Sequence, residues 1–181
     1  MAIRPIIEAP DARLRVISKP VATIDDNIRT LVADMFDTMY DAPGIGLAAI
    51  QIGEPLRLLV IDLQDREEVI GEDGEVTERT VNVPRVFINP EIHDTANETK
   101  IYNEGCLSVP DQYADVERPA SCRARWLDLD GIQHDEQIEG MLATCLQHEM
   151  DHLEGILFID HLSRLKREMV LRKLAKLKKA A

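Results

Sequence analysis

Two histidines and a glutamate lie close together in the segment HEMDH, residues 148–152. On an α-helix, His148 and His152 share one face with Cβ atoms about 5–6 Å apart, so both imidazoles can bind one metal ion. Glu149 lies about a quarter-turn from His148, where its carboxylate can flank that ion. A divalent ion lowers the pKa of water toward about 7, and a neighbouring carboxylate can then transfer the proton. The spacing therefore indicates metal-dependent hydrolysis.

A structural role for the two histidines, as core residues bonded to backbone groups, is the alternative. The helix predicted around them, residues 139–153, has apolar residues on nearly every side, which is typical of a buried helix. Two imidazoles and two carboxylates in such a place are costly unless partners or a metal ion satisfy them. Burial therefore favours the metal site.

A mononuclear catalytic site also needs a third protein ligand. The metalloprotease pattern HExxHxxGxxH does not supply it, because Phe158 stands where that pattern has its last histidine. His161 comes three residues too late, and Glu168 belongs to a solvent-facing helix. The third ligand must therefore come from another part of the chain.

The three cysteines, Cys106, Cys122 and Cys145, are the soft donors that remain, and spacing alone does not decide between them. Cys106 is the better candidate, because Gly105 lets the backbone come close and a thiolate binds metal ions well. Cys145 lies one helical turn before His148, where it more readily lines the site than holds the ion. One cysteine and two histidines would leave a coordination position open.

The rest of the sequence predicts the elements that position these residues. Helical periodicity predicts an amphipathic helix over 23–40 and a basic one over about 162–179. Short strands are predicted at 56–61, 86–92, 124–129 and 133–138, and a solvent-facing hairpin or loop in the acidic segment 64–82. The expected fold is α+β, with short, mostly antiparallel strands packed around a central buried helix carrying HEMDH, and with an N-terminal and a C-terminal amphipathic helix.

Length and composition predict one domain over residues 1–181. With 45% hydrophobic and 30% charged residues, the chain can bury a core of its own. The odd number of cysteines argues for a reducing compartment, and the first residues lack the pattern of a secretory signal. No segment reaches the length of a membrane span. We therefore expect a soluble, cytoplasmic protein with no membrane partner.

The net charge of −12 is unevenly divided along the chain. From Ser163 onward, eight Lys or Arg residues face one acid, so this tail carries +7 and the remainder −19. The acidic body excludes DNA as a partner. The basic tail could contact a polyanion, although a solvated helix face is the simpler explanation.

Three segments taken together resemble the three signature motifs of the peptide deformylases. They are GIGLAAIQ (44–51), EGCLS (104–108) and HEMDH (148–152), each complete and in the order and separation of that family. The segment PIIEAPDARLR near the beginning and the basic last helix are similar to the family as well, so the likeness covers nearly the whole chain. The resemblance implies removal of the formyl group from the N-terminal methionine of nascent bacterial or organellar polypeptides.

Carried over residue by residue, the resemblance implies roles for six positions. It implies metal ligands at Cys106, His148 and His152, an acid and base at Glu149, and oxyanion donors at the Gln51 side chain and the Leu107 backbone N–H. It also implies one divalent ion per chain, Fe²⁺ in the cell, with Zn²⁺, Ni²⁺ or Co²⁺ as substitutes. Donors of this kind suit several of these ions.

Further residues are expected to bind the substrate. Met141, Thr144 and Cys145 precede His148 by seven, four and three positions, so they share its helix face and could wall a pocket for a methionine side chain. The segments Gly44, Ile45, Gly46 and Glu104, Gly105 would contact an extended peptide. Where some relatives have an arginine seven residues after the metal cysteine, this chain has Tyr113.

Two other functions compete with deformylation at this stage, a zinc endopeptidase and a binding module with a structural zinc site. An open coordination position and activity on formylated peptides would distinguish the enzyme from both. The resemblance further suggests that the basic last helix docks on the ribosome, near emerging chains. Phosphate contacts of that kind are salt-sensitive.

Overall fold

The computed structural model describes residues 2–70 and 75–180, which form three α-helices, three short 3₁₀ helices and nine strands. The α-helices are α1 (Asp26–Asp41), α2 (Gly140–Leu153) and α3 (Arg164–Ala180). The strands are β1 (Gly46–Ala48), β2 (Leu58–Ile61), β3 (Asp65–Ile70), β4 (Val76–Val81), β5 (Arg85–Thr95), β6 (Thr99–Cys106), β7 (Val109–Pro119), β8 (Ser121–Leu127) and β9 (Gln133–Glu139). The predicted α+β class, with antiparallel strands, is confirmed.

The main sheet has five strands in the order β1-β2-β5-β8-β9, and every neighbouring pair in it is antiparallel. Strand β2 is buried along its whole length because each of its faces meets a helix. Leu59 and Ile61 pack with the α2 residue Leu146, whereas Leu58 and Val60 pack in the cluster that holds α1. The sheet therefore lies between α1 and α2, and it fixes the orientation of α2.

Helix α2 lies in the interior, and its His148, Glu149 and His152 are all buried. It ends before Gly155, which has a positive φ of 70°. A Cβ at Gly155 would come within 2.6 Å of the Arg15 carbonyl oxygen, so glycine is required there for space as well as for conformation. This stop sets where the histidine-bearing turn lies in the core.

The acidic segment 64–82 contains the hairpin β3–β4, with register from Asp65↔Val81 to Ile70↔Val76. Its side chains are mostly exposed. The part of the expected hairpin over 71–74 lies outside the described residues. The hairpin joins the body next to the end of β2, beside the segment that precedes β1.

A second hairpin, β6–β7, has no counterpart in the sequence-based expectations. Its register runs from Thr99↔Pro119 to Gly105↔Tyr113 and then shifts, so that Cys106 pairs with Val109. Two buried positions of this hairpin are taken by Glu104 and Arg118, so the apolar alternation that marks a strand is weak here. The hairpin carries Cys106 to the side of α2.

Helix α3 packs through Val170, Leu171 and Leu174 on a cluster that includes Phe158. The sequence predicts an apolar stripe formed by Leu162, Leu165, Met169, Leu174 and Leu177. Leu162 and Leu174 do pack on this cluster, but Leu165, Met169 and Leu177 are exposed, so that part of the prediction is wrong. No helix within the described residues is long and apolar enough to cross a membrane.

Candidate metal centre

Cys106, His148 and His152 converge from two different elements. One donor atom from each lies within 4.8 Å of the other two. The Sγ of Cys106 is 3.2 Å from Nε2 of His152, and the two imidazole rings are 5.2 Å apart between centroids. Helix α2 fixes both imidazoles, and the last residue of β6 presents the thiol. The convergence expected from the sequence is thus present in the structure.

The charges around these donors favour a cation. Burial by itself lowers the pKa of His148, but hydrogen bonds to Cys106 and Glu104 and the charge of Glu149 reverse this and raise it well above its usual value. For His152, burial and the neighbouring His148 lower the pKa, so its imidazole is neutral, as a metal ligand must be. One thiolate and two imidazoles form a donor set that suits a divalent transition metal. The residues therefore fit such an ion.

A buried ion-pair network supports His148 from behind. The Nδ1–H of His148 donates to Glu104 Oε2 at 2.8 Å, and Arg118 donates to both oxygens of Glu104 at 2.6 and 3.1 Å. Arg118 also donates to Asp151 Oδ2 at 2.9 Å. Burial raises the pKa of Glu104, but its bonds to His148 and Arg118 outweigh this and lower it, so the carboxylate stays charged. With Nδ1 engaged, Nε2 is the nitrogen left to bind a metal ion.

Arg118 was missed by sequence reasoning. It lies in a strand that the sequence did not reveal, and only the register of β7 turns it toward Glu104. A lone arginine between Glu117 and Pro119 offered no other signal.

Glu149 lies in the core of the site as a carboxyl group that is nearly inaccessible to solvent. Burial raises its pKa to about 7, helped by Glu104 and Asp151 and opposed by His148 and Arg118. Its Oε2 has no hydrogen-bond partner among the described residues. A carboxyl group that titrates near neutral pH can both accept and donate a proton in one reaction cycle.

Gln51 lies beside the metal donors, on the short 3₁₀ helix Ala49–Ile52 that follows β1. Its Oε1 accepts the Ala48 N–H at 2.8 Å, which fixes the amide so that Nε2 points the other way. Nε2 donates to Ser108 Oγ at 3.0 Å and lies 3.6 Å from Cys106 Sγ. Leu107 occupies the turn after Cys106, so its backbone N–H lies in the same region.

A cleft of about 660 Å³ opens in front of these groups. All but one of the residues predicted for the site line it: Gly44, Ile45, Gly46, Gln51, Glu104, Gly105, Cys106, Leu107, Met141, Thr144, Cys145, His148 and Glu149. The exception is His152, which is fully buried behind the cleft. Residues from three separate segments of the sequence therefore lie around one cleft.

The walls of the cleft differ in exposure. Thr144 and Cys145 are buried, whereas Met141 is 43% exposed. Burial raises the pKa of the Cys145 thiol, so that it stays protonated. Tyr113 is 68% exposed and lies over Gly105, where a Cβ would come within 2.5 Å of its ring. The strand glycine therefore makes room for the tyrosine, which also lines the cleft.

An α+β fold that brings soft metal donors and an acid–base carboxyl group to one cleft has the features of a metal-binding hydrolase. Comparison with known proteins narrows this class. The family model described as polypeptide deformylase matches residues 3–168. A curated peptide deformylase of Rhizorhabdus wittichii is 66% identical over 180 residues, covering 99% of this chain and 98% of the relative. One of Novosphingobium aromaticivorans is 66% identical over 188 residues and covers both chains completely.

Solved structures agree with this assignment. A crystal structure of a peptide deformylase from Legionella pneumophila has a TM-score of 0.84 and 49% identity, covering 99% of this chain and 97% of that one. One from Ehrlichia chaffeensis has a TM-score of 0.89 and 37% identity, covering 99% and 98%. This chain therefore belongs to the peptide deformylase family.

As a peptide deformylase, it removes the N-formyl group from the N-terminal formyl-methionine of nascent polypeptides, and its family uses a divalent metal ion. Family membership decides against the two competing functions, the zinc endopeptidase and the structural zinc module.

Proposed function

We propose that Cys106, His148 and His152 hold the divalent ion, one per chain, that this deformylase uses. The observation that carries the proposal is the mutual approach of their donor atoms to within 4.8 Å, with both histidines buried and Cys106 partly buried. Bound there, a divalent cation supplies Lewis-acid polarisation and lowers the pKa of water. Ferrous iron is the proposed ion in the cell, with Zn²⁺, Ni²⁺ or Co²⁺ as substitutes, since a thiolate and imidazoles suit each of them.

The remaining residues have complementary roles at the formyl group. Gln51 Nε2 and the Leu107 backbone N–H donate to the formyl oxygen and stabilise the charge that develops on it. Removing one such donor typically costs about 10²–10³ in rate. Glu149 takes a proton from the attacking water and gives it to the methionine nitrogen as the C–N bond breaks, which yields formate and a free amine. Its pKa of about 7 supports both transfers.

The walls of the cleft would hold the peptide. Met141, Thr144 and Cys145 line the part that takes the methionine side chain, and Gly44–Gly46 and Gly105 present backbone to the chain that follows. Glu104, expected from the sequence to contact the peptide, has both oxygens occupied by Arg118 and His148. We assign Glu104 to the orientation of His148 instead.

The protein is further proposed to act as one domain over 1–181 in the cytoplasm and to approach the ribosome through α3. Exposed basic residues on this helix include Arg164, Lys166, Arg172, Lys173 and Lys176. If deletion from Ser163 onward left co-sedimentation with ribosomes unchanged at low salt, the docking proposal would be abandoned. Salt-sensitive binding of the whole chain that the truncated chain lacks would support it.

Metal analysis paired with formate release from a formyl-methionyl tripeptide tests the site directly. Cys106→Ala should lose both the bound ion and the activity. Cys122→Ala is the matched control, since Cys122 is a fully buried cysteine on β8. Burial raises the pKa of its thiol to about 11, so the thiol stays protonated. The control should keep one equivalent of metal. A Cys106→Ala protein that binds one equivalent as tightly and turns over as fast as the wild type would refute the ligand assignment.

A further inference from the structure

The β3–β4 hairpin is clamped at its base by one fully buried carboxylate, that of Asp62. Its Oδ1 accepts the backbone N–H of Gln64 at 3.0 Å and that of Val83 at 3.1 Å, so both ends of the hairpin meet the same atom. Its Oδ2 accepts the hydroxyl of Tyr40 at 2.6 Å. A buried carboxylate with this many donors is a rigid anchor.

Two hydrogen bonds connect the same anchor to the segment Gly44–Gly46, which forms one wall of the cleft. The backbone N–H of Asp62 donates to the Ile45 carbonyl oxygen at 2.9 Å. The side-chain amide of Gln64 donates to the Gly44 carbonyl oxygen, also at 2.9 Å. Gln64 makes this bond from a left-handed backbone conformation, with φ of 53°, which L side chains rarely adopt. The conformation is held by the bond from its N–H to Asp62.

The wall has little freedom on its other side, where it touches two groups of the proposed reaction. A Cβ at Gly44 would lie 2.7 Å from Leu107 Cδ1, and a Cβ at Gly46 would lie 2.5 Å from Glu149 Oε1. The backbone of the wall is thus in close packing with the turn that carries the Leu107 N–H and with the acid–base carboxyl group. Any shift of the Gly44 peptide changes the space between them.

We propose that Gln64 is a positioning residue for deformylation, because its amide fixes the Gly44 carbonyl and with it the wall along which the peptide lies. The inference rests on the proposed role of Gly44–Gly46 as a peptide-binding wall. The base of the β3–β4 hairpin would then help to hold the peptide-binding wall in place, a role that the exposed strands of the hairpin do not explain.

The test separates positioning from stability by using glycine, which adopts the left-handed region without strain. Gln64→Gly removes the amide but relieves the backbone, so its melting temperature should equal or exceed that of the wild type. One hydrogen bond of this kind corresponds to a change of about 3- to 10-fold. We therefore expect kcat/KM for a formyl-methionyl tripeptide to fall by that factor, mainly through KM. Gln64→Glu keeps the shape of the side chain but loses the N–H donor, so its kcat/KM should decrease by at least the same factor.

Asn89→Gly is the matched control. Asn89 also has a positive φ, 49°, and its side-chain amide also bonds backbone, donating to the Val21 carbonyl oxygen at 2.9 Å. It lies in β5 and does not line the cleft. Its replacement should change the melting temperature and leave kcat/KM within about twofold of the wild type, since Asn89 bonds to Val21 and supports neither the Gly44–Gly46 wall nor any other residue named in the proposed reaction.

Three outcomes decide the matter. The positioning role is supported if kcat/KM decreases in both Gln64 variants while their stability is unchanged, and if kcat/KM does not decrease in the Asn89→Gly control. Kinetics of Gln64→Gly that match the wild type overturn it. If the Gly46→Ala variant bound and cleaved the tripeptide as well as the wild type does, the assignment of Gly44–Gly46 as the peptide-binding wall would itself be wrong.

Discussion

Replacing Gly46 with alanine tests the tightest contact of the site. The added Cβ would stand 2.5 Å from Glu149 Oε1 and 2.9 Å from Cys145 Sγ, whereas ordinary contact begins at 3.4 Å. The carboxylate or the backbone must therefore move by about 0.9 Å, the difference between 3.4 and 2.5 Å. A displacement of about 1 Å at a catalytic group can cost about 10²-fold in rate. We expect kcat/KM to fall by about 10- to 100-fold.

The assay is formate release from a formyl-methionyl tripeptide by protein whose metal content has been measured. Metal content should stay near that of the wild type, because Gly46 touches Glu149 and Cys145 rather than the three donors. Overpacking of this kind also lowers the free energy of unfolding by about 1–3 kcal/mol, which thermal or denaturant unfolding can measure.

Gly131→Ala is the comparison that separates local crowding from general damage. Gly131 has a positive φ of 75°, and a Cβ there would meet nothing within 4 Å. The variant should lose about 1–2 kcal/mol of stability through backbone strain but keep its activity. The reasoning about Gly46 would be refuted if its alanine variant retained wild-type kcat/KM with a full complement of metal.

Three further outcomes are expected. Glu149→Gln should retain its metal ion and lose about 10²–10⁴ in kcat, and an undiminished rate would contradict the acid–base role. Arg118→Met removes the cation that binds Glu104, so metal affinity measured by chelator competition should fall about 10- to 100-fold; equal affinity would contradict its support of His148. The hydrogen bond from His134 to Asp128 raises the pKa of that histidine, so its stabilising effect is complete below pH 6.5 and is lost as pH rises through the higher folded-state value. Denaturant unfolding should show a smaller loss of stability with rising pH in His134→Gln than in the wild type, and parallel curves would contradict this.

The sequence was most informative where local spacing decides geometry. Four-residue spacing on a helix requires His148 and His152 to share a face, so their convergence followed without any knowledge of the tertiary fold. The same spacing argument placed Thr144 and Cys145 beside them, and both line the cleft. The strand β2 and the two helices that cover it were likewise readable from apolar periodicity.

Long-range pairing was beyond the sequence. Glu104 and Arg118 form an ion pair in positions where a typical hairpin has apolar side chains, and this hides β6 and β7 from any search for alternating hydrophobicity. The link from Gln64 to Gly44 joins residues 20 positions apart through a side-chain amide, and no periodicity announces such a bond. Register, rather than residue type, determines both.

The origin of the donors in two separate elements has a consequence for how the protein opens. His148 and His152 belong to an interior helix, while Cys106 is carried by a hairpin at the side of that helix. An ion held by all three acts as a cross-link between the hairpin and the helix, and it closes a loop of chain between them. Backbone amides of β6 and β7 should therefore exchange hydrogen faster after the ion is stripped, while those of α2 stay protected by the sheet.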